Sequence, residues 1–382
     1  MPTRRGVLKL VGGGVVLAAL AGGGWYVANG PSESARVAWR EAGAPEEKRR
    51  RFLSYALLAP NPHNRQPWLV ELVGEDELKL YCDLDRRLPE TDPFDRQITI
   101  GCGAFLELLS LAAASEGYRA DITPFPGGEP APRLDGRPVA HVRLIANGAA
   151  RDPAFDYILK RHTNRNTYSP QPVAEASLRL LEAAGSLHGC RLQTTAEDAL
   201  TAKLRDLTWR AHEREMLTHR TLKESVDLMR IGNDEVEKYR DGISLDGQMM
   251  AFAKLTGMVS RPDLLDPKSS AFKMGMDQYR ELAASPRAFA WLTGSEGRGA
   301  EISAGRAYAR FALKVAELGL AVHPWSQSLQ EFVEMRPLYE EVHALIGGGQ
   351  RIHMLVRLGY AQPDTVAPRR GLAAHLMETP TA

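Results

Sequence analysis

Apolar residues recur at helical spacing from Arg49 to Ala59 (RRRFLSYALLA), which predicts a helix there. The pattern stops at Pro60-Asn61-Pro62-His63-Asn64, where two prolines and two asparagines block further helix. Trp68 to Val73 (WLVELV) reads as a strand, and Glu77 to Asp83 (ELKLYCD) alternates apolar and polar as its hairpin partner. Gly103 to Gly117 (GAFLELLSLAAASEG) reads as an apolar, central helix closed by a glycine cap. Val139 to Ile145 (VAHVRLI) predicts a further strand.

A second unit opens near Arg151. Asp156 to Lys160 reads as helix and leads into Arg161-His162-Thr163-Asn164-Arg165. Glu175 to Ala184 predicts a helix and Cys190 to Thr195 a strand. Residues 198–294 are Met- and charge-rich and mostly helical, with loops near Gly242–Gly247 and Ser260–Ser269; they read as an insertion. Ala304 to Gly319 predicts another apolar helix, and His353 to Tyr360 (HMLVRLGY) a final strand before a tail that opens at Pro368-Arg369-Arg370. The halves echo each other: a long Ala/Leu helix ends in SEGYRADI in one and in AELGLAVHP in the other. The chain therefore reads as α+β, a first unit over 31–150 and a second over 151–382, with Pro31 to Glu47 as a polar linker.

Composition narrows the function classes. With 382 residues, 44% apolar and 25% charged, two domain-sized units with a buried core are possible. A net charge of +1 gives no global field for nucleic acid. Three cysteines, Cys82, Cys102 and Cys190, with no C-x-x-C pair, point to neither a zinc site nor a disulfide framework. The ten histidines show no H-E-x-x-H spacing, so no metal site is expected.

The first 30 residues stand apart. Thr3-Arg4-Arg5-Gly6-Val7-Leu8-Lys9 looks like a twin-arginine export signal, followed by a Gly- and Ala-rich apolar stretch from Leu10 to about Val27. The alternative is an uncleaved membrane anchor, since the stretch is just long enough to span a bilayer. Both place the bulk of the chain outside the cytoplasm, in a periplasmic or membrane-anchored position. The twin-arginine route carries folded proteins, which suits one that acquires a cofactor before export.

Three segments carry chemistry. In Arg161-x-Thr163-x-Arg165, two guanidiniums and a hydroxyl can converge on one phosphate, because Arg forks match phosphate oxygens; surface arginines are the plain alternative. The loop Ala59 to Trp68 (APNPHNRQPW) has prolines that fix its backbone, so it can present amides to a planar heterocycle at small ordering cost; a simple helix-to-strand turn is the alternative. Pro368-Arg369-Arg370 offers further cations, or else a solvated tail.

Together these segments resemble the nitroreductase superfamily. Arg161 to Arg165 resembles its R-x-S-x-R phosphate motif, Ala59 to Trp68 its A-P-S-x-x-N-x-Q-P-W loop, and Gly319 to Gln327 (GLAVHPWSQ) the segment beside the flavin ring. The order differs: here the loop precedes the Arg motif. In that family the two come from opposite subunits of a homodimer, so the resemblance implies an internally duplicated pseudo-dimer with one FMN. The nearest likeness is to Acg-like members, marked by R-x-T-N-R, in which an insertion is thought to cover the flavin; residues 198–294 are long enough for such a lid.

By that resemblance Arg161, Thr163 and Arg165 bind the FMN phosphate, with Arg369 or Arg370 assisting and His162 inside the motif. Asn61, Pro62, Asn64 and Gln66 contact the ring and ribityl chain, and the segment Pro324, Ser326 and Gln327 faces the N5 edge. The flavin does the chemistry in this family, so no catalytic side chain is expected. The implied activity is two-electron transfer to a nitro compound or quinone, from NAD(P)H or, outside the cytoplasm, from a quinol. The alternative is FMN storage without turnover. A fused pseudo-dimer needs no partner, so a monomer is expected.

Overall fold

The computed structural model describes residues 30–377. The export-signal or anchor reading falls on residues 1–29, outside the described residues. The α+β class expected from the sequence is the one observed. It consists of two four-stranded antiparallel sheets and their helices, with a small two-stranded parallel sheet at the side.

The first half begins with α1 (Val37–Arg40) and α2 (Lys48–Ala56), whose first turn is capped by the Glu47 carboxylate on the amides of Arg49 and Arg50. The expected hairpin follows, β1 (Trp68–Val73) and β2 (Glu77–Cys82), with Trp68 opposite Cys82. Then come α3 (Arg96–Ser115), β3 (Arg119–Pro124) and β4 (Ala140–Ile145). The helix predicted from Gly103 starts seven residues earlier, at Arg96. Asp92 caps it by accepting from the amides of Gln97 and Ile98. It is long and apolar enough to cross a membrane, but 83% of its apolar stretch is buried inside the fold, so it is the core helix.

The second half contains α4 (Glu175–Gly185), β5 (Arg191–Thr195), α5 (Asp198–Leu217), α6 (His219–Asp227), β6 (Met229–Ile231), α7 (Asn233–Tyr239), β7 (Ile243–Leu245), α8 (Gln248–Leu255), α9 (Arg261–Leu265) and α10 (Ser270–Ala284). It closes with β8 (Ala288–Gly294), α11 (Arg298–Glu317), β9 (Ala321–Pro324), α12 (Arg336–Val342) and β10 (Arg351–Gly359). The insertion read as 198–294 therefore ends at α10. Ala288–Gly294 is a wholly buried strand of the second sheet, pairing with both β5 and β10. Its unbroken apolar run (AFAWL) lacks the alternation that marks a half-exposed strand, which hid it. The helix read at 156–160 is a 3-10 turn, Pro153–Tyr157.

Both large sheets have the same topology. In each, the first strand pairs with the second, the second with the fourth, and the fourth with the third. In each, a 20-residue helix connects the second strand to the third. These helices, α3 and α11, lie against each other between the sheets. Each opens with a buried arginine that crosses to the other half. Arg96 donates to Leu329 O (2.8 Å) and His353 O (2.9 Å), while Arg298 donates to Phe94 O (2.6 Å) and Pro132 O (2.7 Å). In the first half the hairpin β1–β2 is joined by a tight turn. In the second, α5 to α10 are inserted between the equivalent strands.

Candidate anion-binding site between the halves

The site begins at the C-terminal end of α2, whose last turn runs into the buried residues Leu57, Leu58 and Ala59. Their carbonyls carry the negative end of the helix dipole. Two guanidiniums meet them. Arg369 donates from Nε to Leu57 O (2.9 Å) and from Nη2 to Leu58 O (3.2 Å) and Ala59 O (3.0 Å). Arg161 donates from Nη2 to the same Leu58 O (2.8 Å). Both are buried, at 4% and 3% exposure for Arg161 and Arg369, and among the described residues neither forms an ion pair. Among the described residues the Nε of Arg161 has no partner.

The charge balance is one-sided. A helix C-terminus supplies roughly half a negative charge, against two full positive ones. Burial accordingly holds the guanidinium of Arg161 down to about 10 and that of Arg369 to about 9, the latter also pushed by Arg161 and Arg165. Both remain cationic at neutral pH. A multiply charged anion is the partner that such a pair lacks.

Arg165 completes the group from the surface. Its amide donates to Asp364 Oδ2 (2.8 Å), and its exposed guanidinium makes no hydrogen bond or ion pair among the described residues. Its field reaches Arg369, His63, His323 and Tyr279. The motif is held by Asn164, which is buried: its amide donates to Val322 O (2.9 Å) and its Nδ2 to Gln362 O (2.7 Å). Thr163 is half-buried, and among the described residues its hydroxyl has no protein partner. His162 turns aside, its Nδ1 against Lys160 O (2.9 Å).

The loop of the first half is backbone-strained. His63, Asn64 and Gln66 all have positive φ, at 46°, 49° and 50°. Each such non-glycine residue costs on the order of 1–3 kcal/mol unless its surroundings hold it. They do. Asn61 Oδ1 accepts from the Gln66 amide (2.7 Å), and Asn61 Nδ2 donates to Ala59 O (3.1 Å). Asn64 donates to Pro368 O (3.0 Å) and accepts from Arg369 Nη1 (2.6 Å). Gln66, fully buried, accepts from the Arg370 amide (2.9 Å) and donates to Arg240 O (2.9 Å). Pro62 opens the 3-10 turn. The side chains of Asn61, Asn64 and Gln66 are thus engaged within the protein. The Gln66 side chain joins the loop, the tail and the insertion. His63 presents a buried Nδ1 with no partner, and burial lowers its ring to about 4.

The tail arginines have different jobs. Arg369 joins Arg161, whereas Arg370 reaches Gln66 O (3.2 Å) and His375 (3.1 Å) on the far side of the loop.

From the second half, Pro324 ends β9 opposite Val356. Ser326 Oγ donates to Leu355 O (3.0 Å) and accepts from Leu355 N (3.2 Å), fixing the turn that follows. Among the described residues the buried Oε1 of Gln327 has no partner, nor do Trp325 Nε1, Ser328 Oγ and Gln330 Oε1. His323 accepts from Arg357 Nε (3.2 Å), and burial holds it well below its ordinary value, so it is neutral. The insertion reaches the same place. Tyr279 of α10 lies edge-on to Trp325 at 6.3 Å and stacks on His212 of α5 at 4.0 Å. Both nitrogens of His212 are buried and unpartnered, and its ring is lowered to about 3. The sequence does not single out His212, Tyr279 or Arg357, because nothing in a helical insertion or a closing strand says which face meets a distant loop.

No family model matches the chain. Over 334 residues it is 27% identical to "Putative NAD(P)H nitroreductase Rv3131" of Mycobacterium tuberculosis (strain ATCC 25618 / H37Rv), covering 85% of this chain and 89% of that protein. It is 31% identical over 147 residues to "Putative NAD(P)H nitroreductase acg" of the same strain, covering 37% of this chain and 42% of that one. Among solved structures it is similar to the FMN-dependent nitroreductase NfnB from Mycobacterium smegmatis in complex with NADPH. That likeness has 17% identity and a TM-score of 0.37, over 59% of this chain and 98% of that one.

Proposed function

We propose that this chain is an FMN-dependent oxidoreductase of the nitroreductase kind, a fused pseudo-dimer that holds one flavin between its halves. The observation that carries the reading is the pair of buried guanidiniums, Arg161 and Arg369, converging on one carbonyl with no carboxylate to balance them. The similarity to proteins named as NAD(P)H nitroreductases supports it, as does the like topology of the two sheets. FMN fits the residues present. Its phosphate answers Arg161, Arg165 and Arg369, with Thr163 as a free hydroxyl. Its heterocycle would lie toward His63 and the Trp325–Gln327 segment, where polar atoms stand unpartnered.

When bound, FMN supplies two-electron transfer between a nicotinamide donor and a small-molecule acceptor. The chain's own residues bind and orient. His63, His212 and His323 are all neutral by burial, so none offers an imidazolium proton at neutral pH. The fixed positive charge comes from arginines, which do not titrate in the physiological range. The strained loop is pre-set by Asn61, Asn64 and Gln66, so its exposed backbone needs little ordering when a ligand arrives. Tyr279 and His212 cover this region from the insertion and exclude water. The substrate proposed is a nitro compound or quinone. If the export signal acts as expected, a quinol replaces NAD(P)H as donor.

The test is the absorbance of purified protein in the flavin bands, before and after reconstitution with FMN. Anaerobic addition of NADPH, then of a quinol analogue, follows. Bleaching by either is expected. A protein that takes up no FMN refutes the reading. One that binds FMN but is bleached by neither donor is an FMN store.

A further inference from the structure

The segment after residue 30, which the sequence presents as a polar linker, is built into the wall of the anion site. Ser32, Ala35, Arg36, Ala38 and Trp39 are buried. Three hydrogen bonds fasten the segment to the tail just before and at Arg369: Arg36 Nε to Val366 O (2.6 Å), Trp39 Nε1 to Ala367 O (2.9 Å), and Arg369 N to Ala35 O (3.0 Å). On its other side the segment is fastened to the insertion. Arg36 pairs with Asp246 at 2.8 Å, both side chains under a tenth exposed, and Ser32 Oγ donates to Glu237 (2.9 Å).

Between these fastenings lies the ring of Trp39. The guanidinium carbon of Arg369 is 5.5 Å from its centroid and that of Arg161 is 5.9 Å away. The same indole therefore contacts both cations that share the Leu58 carbonyl. A π face attracts a cation without neutralising it. Carboxylates in its place would bind the arginines and cancel their charge. Trp39 does the opposite, holding two like-charged groups close together while leaving their charge available.

We infer that Trp39 is a positioning residue for anion binding, and that segment 30–40 is a strap that sets the geometry of Arg161 and Arg369 and ties it to the insertion. This rests on the reading that those arginines grip the FMN phosphate. Trp39 itself touches no ligand; it acts through the guanidiniums.

The experiment compares FMN with riboflavin, which lacks the phosphate. Dissociation constants for both are measured by flavin fluorescence on the full chain, for wild type, Trp39→Leu, Trp39→Phe and Arg369→Ala. Trp39→Leu is expected to weaken FMN about tenfold and to leave riboflavin within about twofold. Trp39→Phe keeps a π face and is expected to retain most of the preference for FMN. Trp39→Met serves in place of the leucine variant should that one not fold. Equal losses for both flavins, no loss for either, or a phenylalanine variant no better than leucine would overturn the role given to Trp39. If Arg369→Ala leaves the ratio of FMN to riboflavin affinity unchanged, the phosphate grip itself fails, and the role given to Trp39 falls with it.

Discussion

Gly103 and Gly305 face each other where α3 crosses α11, and each is pressed against the other helix's backbone. A Cβ on Gly103 would lie 2.2 Å from Ile302 O, and one on Gly305 would lie 1.9 Å from Ile100 O. The contact is reciprocal, as expected where two like helices meet about an approximate two-fold. Both obstacles are main-chain carbonyls, so no rotamer change relieves them; the helices must separate. Gly103→Ala or Gly305→Ala should therefore destabilise the fold by about 2–3 kcal/mol or more, read as a lower denaturant midpoint. Once the helices have parted for one methyl, the second meets less resistance. The double variant should lose clearly less than the two single losses combined. Strict additivity would show that the two contacts relax independently.

The two tail arginines should separate in the same assay. Arg369→Ala removes a cation from the shared carbonyl and should cost about 1.5–3 kcal/mol of FMN affinity, which is roughly ten- to a hundredfold. Arg370→Ala removes contacts to Gln66 O and His375. It should lower stability by about 1 kcal/mol and leave the preference for FMN over riboflavin unchanged. Equal loss of that preference in both variants would contradict the division of labour.

That division is not legible in the sequence, where Arg369 and Arg370 are adjacent and equivalent. What is legible has local causes. The prolines of the loop, the hairpin alternation and the apolar helices all declare themselves over a few residues. The strands Ala288–Gly294, Arg119–Pro124 and Ala321–Pro324 do not: the first is buried throughout, the second is mostly exposed with no apolar face, and the third is only four residues long. The role of residues 30–40 is invisible for a different reason. Their partners, Asp246, Val366 and Arg369, lie more than 200 residues away, and no local pattern predicts such a contact. The family resemblance makes Asn64 and Gln66 flavin contacts. In the structure their side chains hold the tail and the insertion to the loop.

Acid stability should show a break near pH 4.5. His63, His212, His323, His353 and His375 are all lowered by burial, four of them to about 3 or 4. As pH falls through 6.5 the unfolded chain binds protons there that the native chain refuses, which destabilises the fold. Three buried carboxyls act the other way. Glu215 and Glu301 are raised to about 7 and Asp92 to about 6, so the native chain binds protons that the unfolded one releases down to about pH 4. Between pH 6.5 and 4.5 the three carboxyls offset three of the five histidine protons and leave about two uncompensated. Below that, both states carry the carboxyl protons, the histidines act alone, and Glu107, lowered to about 2 by His188, Arg306 and Arg310 despite its burial, joins them. Each uncompensated proton is worth about 1.4 kcal/mol per pH unit. Urea midpoints measured from pH 7 to 3.5 should fall gradually at first and more steeply below about pH 4.5. A steep fall already complete by pH 5.5 would show that the three carboxyls do not hold their protons as described.

The middle of the insertion is tied to the strained loop through a buried carboxylate. Asp241, 3% exposed, pairs with Arg86 at 2.6 Å and Arg230 at 2.8 Å, with Arg65 at 3.6 Å. Arg65 belongs to the strained loop, so Asp241 connects that loop to the β6–α7–β7 segment that also supplies Arg240 O to Gln66 and Gly242 N to Asn64 O (3.2 Å). Removing one member of a buried ion cluster leaves its partners uncompensated, at a cost of about 3–5 kcal/mol. Part of that cost is lost here, because Arg86 is about a fifth exposed and can turn to water. Asp241→Ala should still destabilise by about 2–3 kcal/mol. The damage should appear first at the insertion, as faster proteolysis or amide exchange over residues 229–246 while α3 and α11 stay protected. If FMN contacts the loop as proposed, it should slow that opening, because the loop and this part of the insertion are joined through Asp241, Asn64 and Gln66. If FMN protects the helices but leaves residues 229–246 exchanging at the same rate, the insertion is not coupled to the site.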